Sequence, residues 1–174
     1  MRSILETERL FLREFDEGDV AVFYELGSDP QVIRYTGDPG GGFQSLEHAR
    51  EILRSHPLAD YRKHGFGRWA CVHKGSGDVI GFAGLKYLDD LNEVDLGYRL
   101  LPAWWGAGLA TEACRPILDF GFARLGLNQI IALVDPANSA SIRVLEKLGM
   151  TRLGIIQLHG DECVKYTSDA PTSP

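Results

Sequence analysis

The sequence predicts one mixed α/β (α+β) domain built on a mainly antiparallel sheet, and three observations carry that prediction. Strand-like runs at residues 67–73, 79–87 and 93–101 follow one another across Lys74-Gly-Ser-Gly-Asp78 and Leu88-Asp-Asp-Leu-Asn92, which read as hairpin connections. A tight glycine turn, Gly106-Ala-Gly108, leads from the third run into a helix. The apolar run Ile130-Ile-Ala-Leu-Val134 then returns as a further strand. At 174 residues and 44% hydrophobic side chains, the chain is one ordinary globular domain with a core of its own.

Taken in order, Arg9-Leu-Phe-Leu-Arg-Glu-Phe15 has strand character, with Leu10 and Leu12 alternating against Phe11, Arg13 and Phe15. Asp16 and Asp19 introduce a helical stretch to about residue 26, where Val20, Phe23 and Tyr24 have helical spacing. Gly37-Asp-Pro-Gly-Gly-Gly42 reads as a hinge or lid, because no strand feeds it and Pro39 interrupts it. Ser45 caps a helix to about residue 55. The helix after Gly108 runs to about residue 125, with Pro116 expected to bend it or loosen one turn. A helix at 139–148 and strands at 151–158 and 162–168 complete a domain of residues 1–168, and 169–174 is expected to be a disordered tail.

Chemistry enters at the glycine turn. The first turn of a helix leaves backbone N–H groups without partners and presents partial positive charge. With Gly106 and Gly108 beside it, the backbone approaches an anion without a side chain in the way. No P-loop lysine or serine follows, which argues against a nucleoside triphosphate with magnesium. A ligand that carries a diphosphate but reacts elsewhere fits better. Gly106-Ala-Gly108-Leu-Ala-Thr111 also comes close to a dinucleotide-binding turn, with Asp135 ending the next strand as a ribose-binding acid would. That alternative needs about three parallel strands around the site. Only one βαβ unit is visible here.

After the strand at Ile130 comes Asn138-Ser-Ala-Ser-Ile-Arg-Val-Leu-Glu-Lys-Leu-Gly149. Gly-x-Gly-x-Ala at a strand-to-helix turn, followed by a strand and then Asn-x-x-Ser-x-x-Val-Leu-Glu-Lys-Leu-Gly, resembles the GNAT superfamily of acetyl-CoA-dependent N-acetyltransferases. The opening Thr7-Glu-Arg-Leu-Phe-Leu-Arg13 and the Leu96-Gly-Tyr98 strand resemble its RimJ/RimL branch. The resemblance implies helices on both faces of the sheet, and a sheet splayed at its centre where the strand through Tyr98, Arg99 and Leu100 leaves the strand at Ile130. Acetyl-CoA is the implied co-substrate, its pantetheine arm lying in the gap as a pseudo-strand. An N–H of the first strand would face the carbonyl oxygen as charge develops there. The diphosphate would sit on the amides of Trp105, Gly106, Ala107, Gly108, Leu109 and Ala110. Trp105 stands where most of the family has Gln or Arg.

Asn138 is a natural N-cap and, by the resemblance, a candidate to bond the pantetheine amides. At 100° per residue, Ser141, Leu145 and Leu148 share one helix face with Val144 and Ile142, while Arg143, Glu146 and Lys147 face away. A hydroxyl on an apolar stripe usually bonds back to its own helix. Many GNAT enzymes use a tyrosine at the position of Leu145 to protonate the departing thiolate. This chain has no hydroxyl there, which leaves Ser141 as the nearest donor. Glu93 and Asp95, on the strand leading to the acetyl site, are the candidate general bases, acting directly or through water, or else are solvated hairpin charges. Glu112 is expected on the helix surface, and Tyr35, Trp69 and His159 either line the acceptor pocket or pack. A non-catalytic acetyl-CoA-binding module is the second functional alternative.

The formal net charge of −6 argues against nucleic acid as a partner. It suits a cationic amine acceptor, at a protein N-terminus or on a small molecule, and equally a surface charged for solubility. Cys71, Cys114 and Cys163 are odd in number and widely spaced, and form no metal-ligand pattern; reduced thiols and no metal are expected. No apolar run reads as a signal peptide or a membrane span. The expected setting is the cytoplasm, as a monomer or homodimer.

Overall fold

A computed structural model describes residues 3–37 and 39–171. Eight strands form one sheet: β1 (Leu5–Glu6), β2 (Leu10–Arg13), β3 (Arg68–His73), β4 (Val79–Leu88), β5 (Glu93–Leu100), β6 (Gln129–Val134), β7 (Thr151–Leu158) and β8 (Asp161–Asp169). Their spatial order is β1-β2-β3-β4-β5-β6-β8-β7. Every neighbouring pair is antiparallel except β5 and β6, which run parallel. That arrangement excludes the dinucleotide-binding alternative, which needs consecutive parallel strands.

The parallel pair decides where a ligand can enter. β5 pairs with β4 along its whole length, from Glu93 opposite Leu88 to Leu100 opposite Gly81. On its other side it meets β6 at one position, Asp95 opposite Ile131. Beyond Asp95 the edge of β5 facing β6 has no strand partner, so the sheet forks three residues before Tyr98, where the sequence placed the divergence.

Helices cover both faces. α5 (Leu109–Ala123) packs Leu109, Ala113, Cys114 and Ile117 against Leu85, Leu96 and Ile130 of the sheet, with Trp69 buried edge-on to Phe120. α5 continues unbroken through Pro116. On the opposite face α1 (Val20–Ser28) and α3 (Leu46–Ser55) close a second core of Phe15, Phe23, Ala49, Leu53 and Ala70. α3 begins as expected, with the Ser45 side chain accepting from the His48 amide. Two short helices escape the sequence reading. α2 (Pro30–Ile33) starts on Asp29 with Pro30 in its first turn, and α4 (Pro57–His64) starts on Pro57 and stops at left-handed Gly65. α6 (Ser139–Lys147) follows β6 and packs on α5. Of the expected tail, residues 169–171 are described, and the first two are ordered. Asp169 closes β8 and the Ala170 amide donates to the Asn128 carbonyl at 2.8 Å, while residues 172–174 lie outside the described residues. In the glycine-rich loop, Asp38 is also outside them; Gly40, Gly41 and Gly42 are described and have positive φ.

Candidate active site

The fork opens between β5 and α6, and two cavities meet there. The first, about 630 Å³, runs from the glycine turn along α6. The second, about 600 Å³, lies under α1, α3 and α4 on the other face. Tyr35, Thr36, Tyr98, Arg99, Asn138 and Ser141 line both. The reacting centre of a two-substrate enzyme belongs at such a junction.

The first cavity is built for an anion. Gly106 and Gly108 hold φ of 77° and 79°, so the turn needs glycine for its backbone conformation; a Cβ would meet nothing closer than 3.8 Å at either position. The amides of Gly106, Ala107, Gly108, Leu109 and Ala110 make no hydrogen bond among the described residues. Trp105 departs from the expectation. Its amide donates to the Pro102 carbonyl at 3.1 Å and its indole to the Leu100 carbonyl at 2.7 Å, so it braces the turn and leaves anion binding to the five amides that follow. Gly106, Gly108, Leu109 and Ala110 line the cavity, and Ala107 does not. Four cations, Arg34, Arg99, Arg143 and Lys147, line it with no carboxylate among the described residues. Arg143 and Lys147 are exposed, as the helical wheel has them, and the outward face they share opens onto the cavity. α6 turns its apolar stripe into the core, and these flanking side chains border the cleft.

At the junction, Asn138 caps α6, its Oδ1 accepting from the Ser141 amide at 3.1 Å. The Ser141 hydroxyl is held from outside its helix: it lies 2.6 Å from the Tyr98 hydroxyl, whose single hydrogen has the Ser141 carbonyl, at 3.1 Å, as its other acceptor. Burial raises the Tyr98 phenol well above its ordinary range, outweighing the pull of Ser141. It therefore stays protonated and acts as a donor. The sequence pointed to Tyr98 for its backbone and missed its hydroxyl. Arg99 reaches the Leu26 carbonyl at 3.3 Å and lies over the Phe82 ring, and Leu100 is buried at the end of β5.

The two candidate bases part company. Glu93 is held by Lys165 at 2.5 Å and lines neither cavity, because it sits at the far end of β5. Asp95 is buried at the fork and lines the second cavity. Its Oδ2 pairs with Arg68 at 2.5 Å, and its Oδ1 accepts from the Leu133 amide at 3.3 Å. Asp95 therefore bridges both strands where they separate. Arg68 reaches it across Gly97, where a Cβ would lie 2.4 Å from the guanidinium carbon. Burial raises the Asp95 carboxyl against the opposing pull of Arg68 and the Leu133 amide.

Of the other candidates, Tyr35 lines both cavities, Trp69 is core, and His159 pairs with Asp90 on an exposed turn. Glu112 has a role beyond the surface of α5: it accepts from the Thr7 hydroxyl, the Arg9 amide and the Arg9 guanidinium at 2.6–2.8 Å, tying the first strands to the helix that carries the glycine turn. Cys71 and Cys114 are buried; burial pushes Cys71 up to about 12 and Cys114 well above its ordinary value. Neither thiol lines a cavity. No group of three potential metal ligands exists among the described residues, and no described helix is long and apolar enough to cross a membrane.

Comparison with known proteins agrees with this geometry. The profile of the Acetyltransferase (GNAT) domain family matches residues 9–151. An uncharacterized N-acetyltransferase of Bacillus licheniformis, p20, is 34% identical over 155 residues, 88% of this chain and 85% of its own. An acetyltransferase from Agrobacterium tumefaciens of known crystal structure shares the fold with a TM-score of 0.82 at 26% identity, over 97% of this chain and 94% of that one. RimL, a ribosomal L7/L12 alpha-N-protein acetyltransferase solved in complex with coenzyme A, has the same fold at 20% identity, with a TM-score of 0.78 over 99% of this chain and 100% of its own. The family match runs from β2 across the glycine turn, the fork and the capped serine helix, and the chain belongs to the GNAT family of acetyltransferases.

Proposed function

We propose that this acetyltransferase, in the manner of the RimJ/RimL branch, moves an acetyl group from acetyl-CoA to a primary amine by direct attack. The observation that carries the reading is a cleft lined, among the described residues, by four cations and no carboxylate, on a chain of net charge −6, leading from five amides without a described partner to the Tyr98–Ser141 junction. A polyanionic coenzyme fits such a cleft. Bound there, acetyl-CoA supplies the thioester. The amides from Gly106 to Ala110 hold its diphosphate, assisted by Arg143 and Lys147, and the open edge of β5 beyond Asp95 pairs with its pantetheine amides. Ser141, oriented by Tyr98 and by the Asn138 cap, donates to the sulfur as the C–S bond breaks. The amine enters from the second cavity, and its nitrogen bonds to the carbonyl carbon. Its proton leaves to water or, through water, to Asp95, whose own oxygens are engaged by Arg68 and Leu133. The reaction belongs to the cytoplasm, where thiols such as Cys163 stay reduced.

The test is release of free thiol from acetyl-CoA with a panel of peptide α-amines, polyamines, amino acids and aminoglycosides. The expected result is thiol release that needs an amine and matches the acetylated product one for one. Tight coenzyme binding with turnover of no amine would favour a non-catalytic acetyl-CoA-binding module.

A further inference from the structure

Two side chains of opposite charge line the second cavity without partners. Lys86 lies on β4 directly opposite Asp95, half-buried on the sheet face that α1 and α3 cover. Its ammonium makes no hydrogen bond or ion pair with any described residue. Asp60, half-buried on α4, lines the same cavity, and its carboxylate has no such partner among the described residues either. The two are close enough for the charge of Asp60 to act on Lys86, yet they do not form an ion pair. Neighbouring charges are already committed: Arg68 to Asp95, Asp89 to Lys63 at 3.6 Å, Arg99 to the Leu26 carbonyl, and Asp135 to the Ala137 amide. Burial, and then the positive charge of Arg68, lower the proton affinity of Lys86, so a bound anion would restore what the site has lost.

We propose that Lys86 and Asp60 form a distal subsite for an amino-acid head group, with its carboxylate on Lys86 and its α-ammonium on Asp60. The acceptor is then an amino acid whose second, side-chain amine reaches the Tyr98–Ser141 junction. The inference rests on the acetyl-transfer reading and adds the substrate class. The span follows from the cavity, which is lined by Lys86 at one end and by Tyr98 and Ser141 at the fork; along the strands Lys86 and the Ala83–Tyr98 pair are three residues apart, about 10 Å, with the junction reached through the gap beyond Asp95. An extended diamino acid, met by the reach of Lys86 itself, covers that distance. A zwitterion fits a gap between two unpaired opposite charges, whereas a polyamine would bring an ammonium beside Lys86 and leave it unpaired.

The experiment is steady-state kinetics at saturating acetyl-CoA with lysine, 6-aminohexanoate and cadaverine. 6-Aminohexanoate lacks only the α-amine, and cadaverine only the carboxylate. The expected kcat/KM for lysine exceeds each of the other two by at least about tenfold, as loss of one charge-assisted hydrogen bond predicts. Lys86→Met should shrink the lysine-to-cadaverine ratio at least about fivefold, and Asp60→Asn the lysine-to-6-aminohexanoate ratio by a similar factor. Cadaverine used as well as lysine by the wild-type enzyme would overturn the subsite, as would ratios unchanged in the variants. Acetylation of spermidine or a peptide N-terminus with none of the three acetylated would overturn the subsite and leave acetyl transfer standing. Turnover of no amine at all would overturn both.

Discussion

In the proposed reaction Ser141 and Tyr98 carry the chemistry that the chain itself supplies, and their pairing accounts for how a weak acid would assist a leaving thiolate. A serine hydroxyl gives up its proton reluctantly, but when the single hydrogen of the buried, protonated Tyr98 phenol turns from the Ser141 carbonyl to the Ser141 hydroxyl, the serine is left to direct its own hydrogen toward the sulfur. Ser141→Ala should therefore lower kcat by about tenfold to a hundredfold, with a smaller change in the KM for acetyl-CoA, because the bond matters most when charge gathers on sulfur. Tyr98→Phe removes the orienting donor alone and should cost less than Ser141→Ala. Steady-state kinetics of both variants check this, and an unchanged kcat in Ser141→Ala, where chemistry limits turnover, removes the serine from the mechanism. Mass spectrometry of the enzyme with acetyl-CoA alone should show no acetyl adduct, since Cys71 and Cys114 are protonated and out of reach. At this scale the sequence was half legible. The Asn138–Ser141 cap and the apolar stripe of α6 are local patterns. The Tyr98 hydroxyl, 43 positions from Ser141, becomes a partner only when β5 and α6 face each other across the fork.

Strands and helices were the most legible level, because hairpin connections and helical periodicity are local properties. Boundaries fell within a residue or two of those expected for β3, β4, β5 and α3. What the pattern could not give is which charges on an element turn inward. Glu93 and Asp95 share a strand parity, yet one pairs with Lys165 and the other is buried at the fork by Arg68. Arg143 and Lys147 face solvent as a helical wheel has them, yet the wheel does not show that this face borders the first cavity. Glu112 shows the same limit on α5. Partial burial alone would raise its carboxyl, but the Thr7 hydroxyl and the Arg9 amide and guanidinium hold it below the usual carboxylate range. A folded-state value depressed in this way contributes stability that is fully present above the unfolded value of about 4.3 and is lost as pH falls through the folded one. The Arg9 side of the pair is 41% exposed, so screening keeps the ion-pair part to about 1 kcal/mol or less. Urea unfolding of Glu112→Gln should show its destabilisation at pH 7, with the gap to wild type closing at the acid end of that window. A gap that stays the same at pH 3 would show that packing, and no charge on Glu112, ties the first strands to α5.

Across the whole molecule the design is a sheet forked at one strand pair, with the glycine turn, the proposed anion seat, at the mouth of the fork and cores on both faces. Asp95 bonds to the amide of Leu133 on β6 and to Arg68 on β3, so the fork is closed chemically at its apex and open beyond it. The charge distribution follows the same plan, with the described cations of the first cavity gathered on one side of an acidic chain. Coenzyme binding should accordingly weaken as ionic strength rises. The proposed seat for the coenzyme diphosphate is the turn at Gly106 and Gly108, and calorimetric titration of CoA into wild type and Gly108→Val is the sharpest check on it. At φ 79° a β-branched side chain strains the turn and intrudes on the phosphate seat, so affinity should be at least about tenfold weaker in a variant whose circular dichroism shows it folded, with no competition from NAD in the wild type. Unchanged CoA affinity in folded Gly108→Val, or displacement of CoA by NAD, would contradict it.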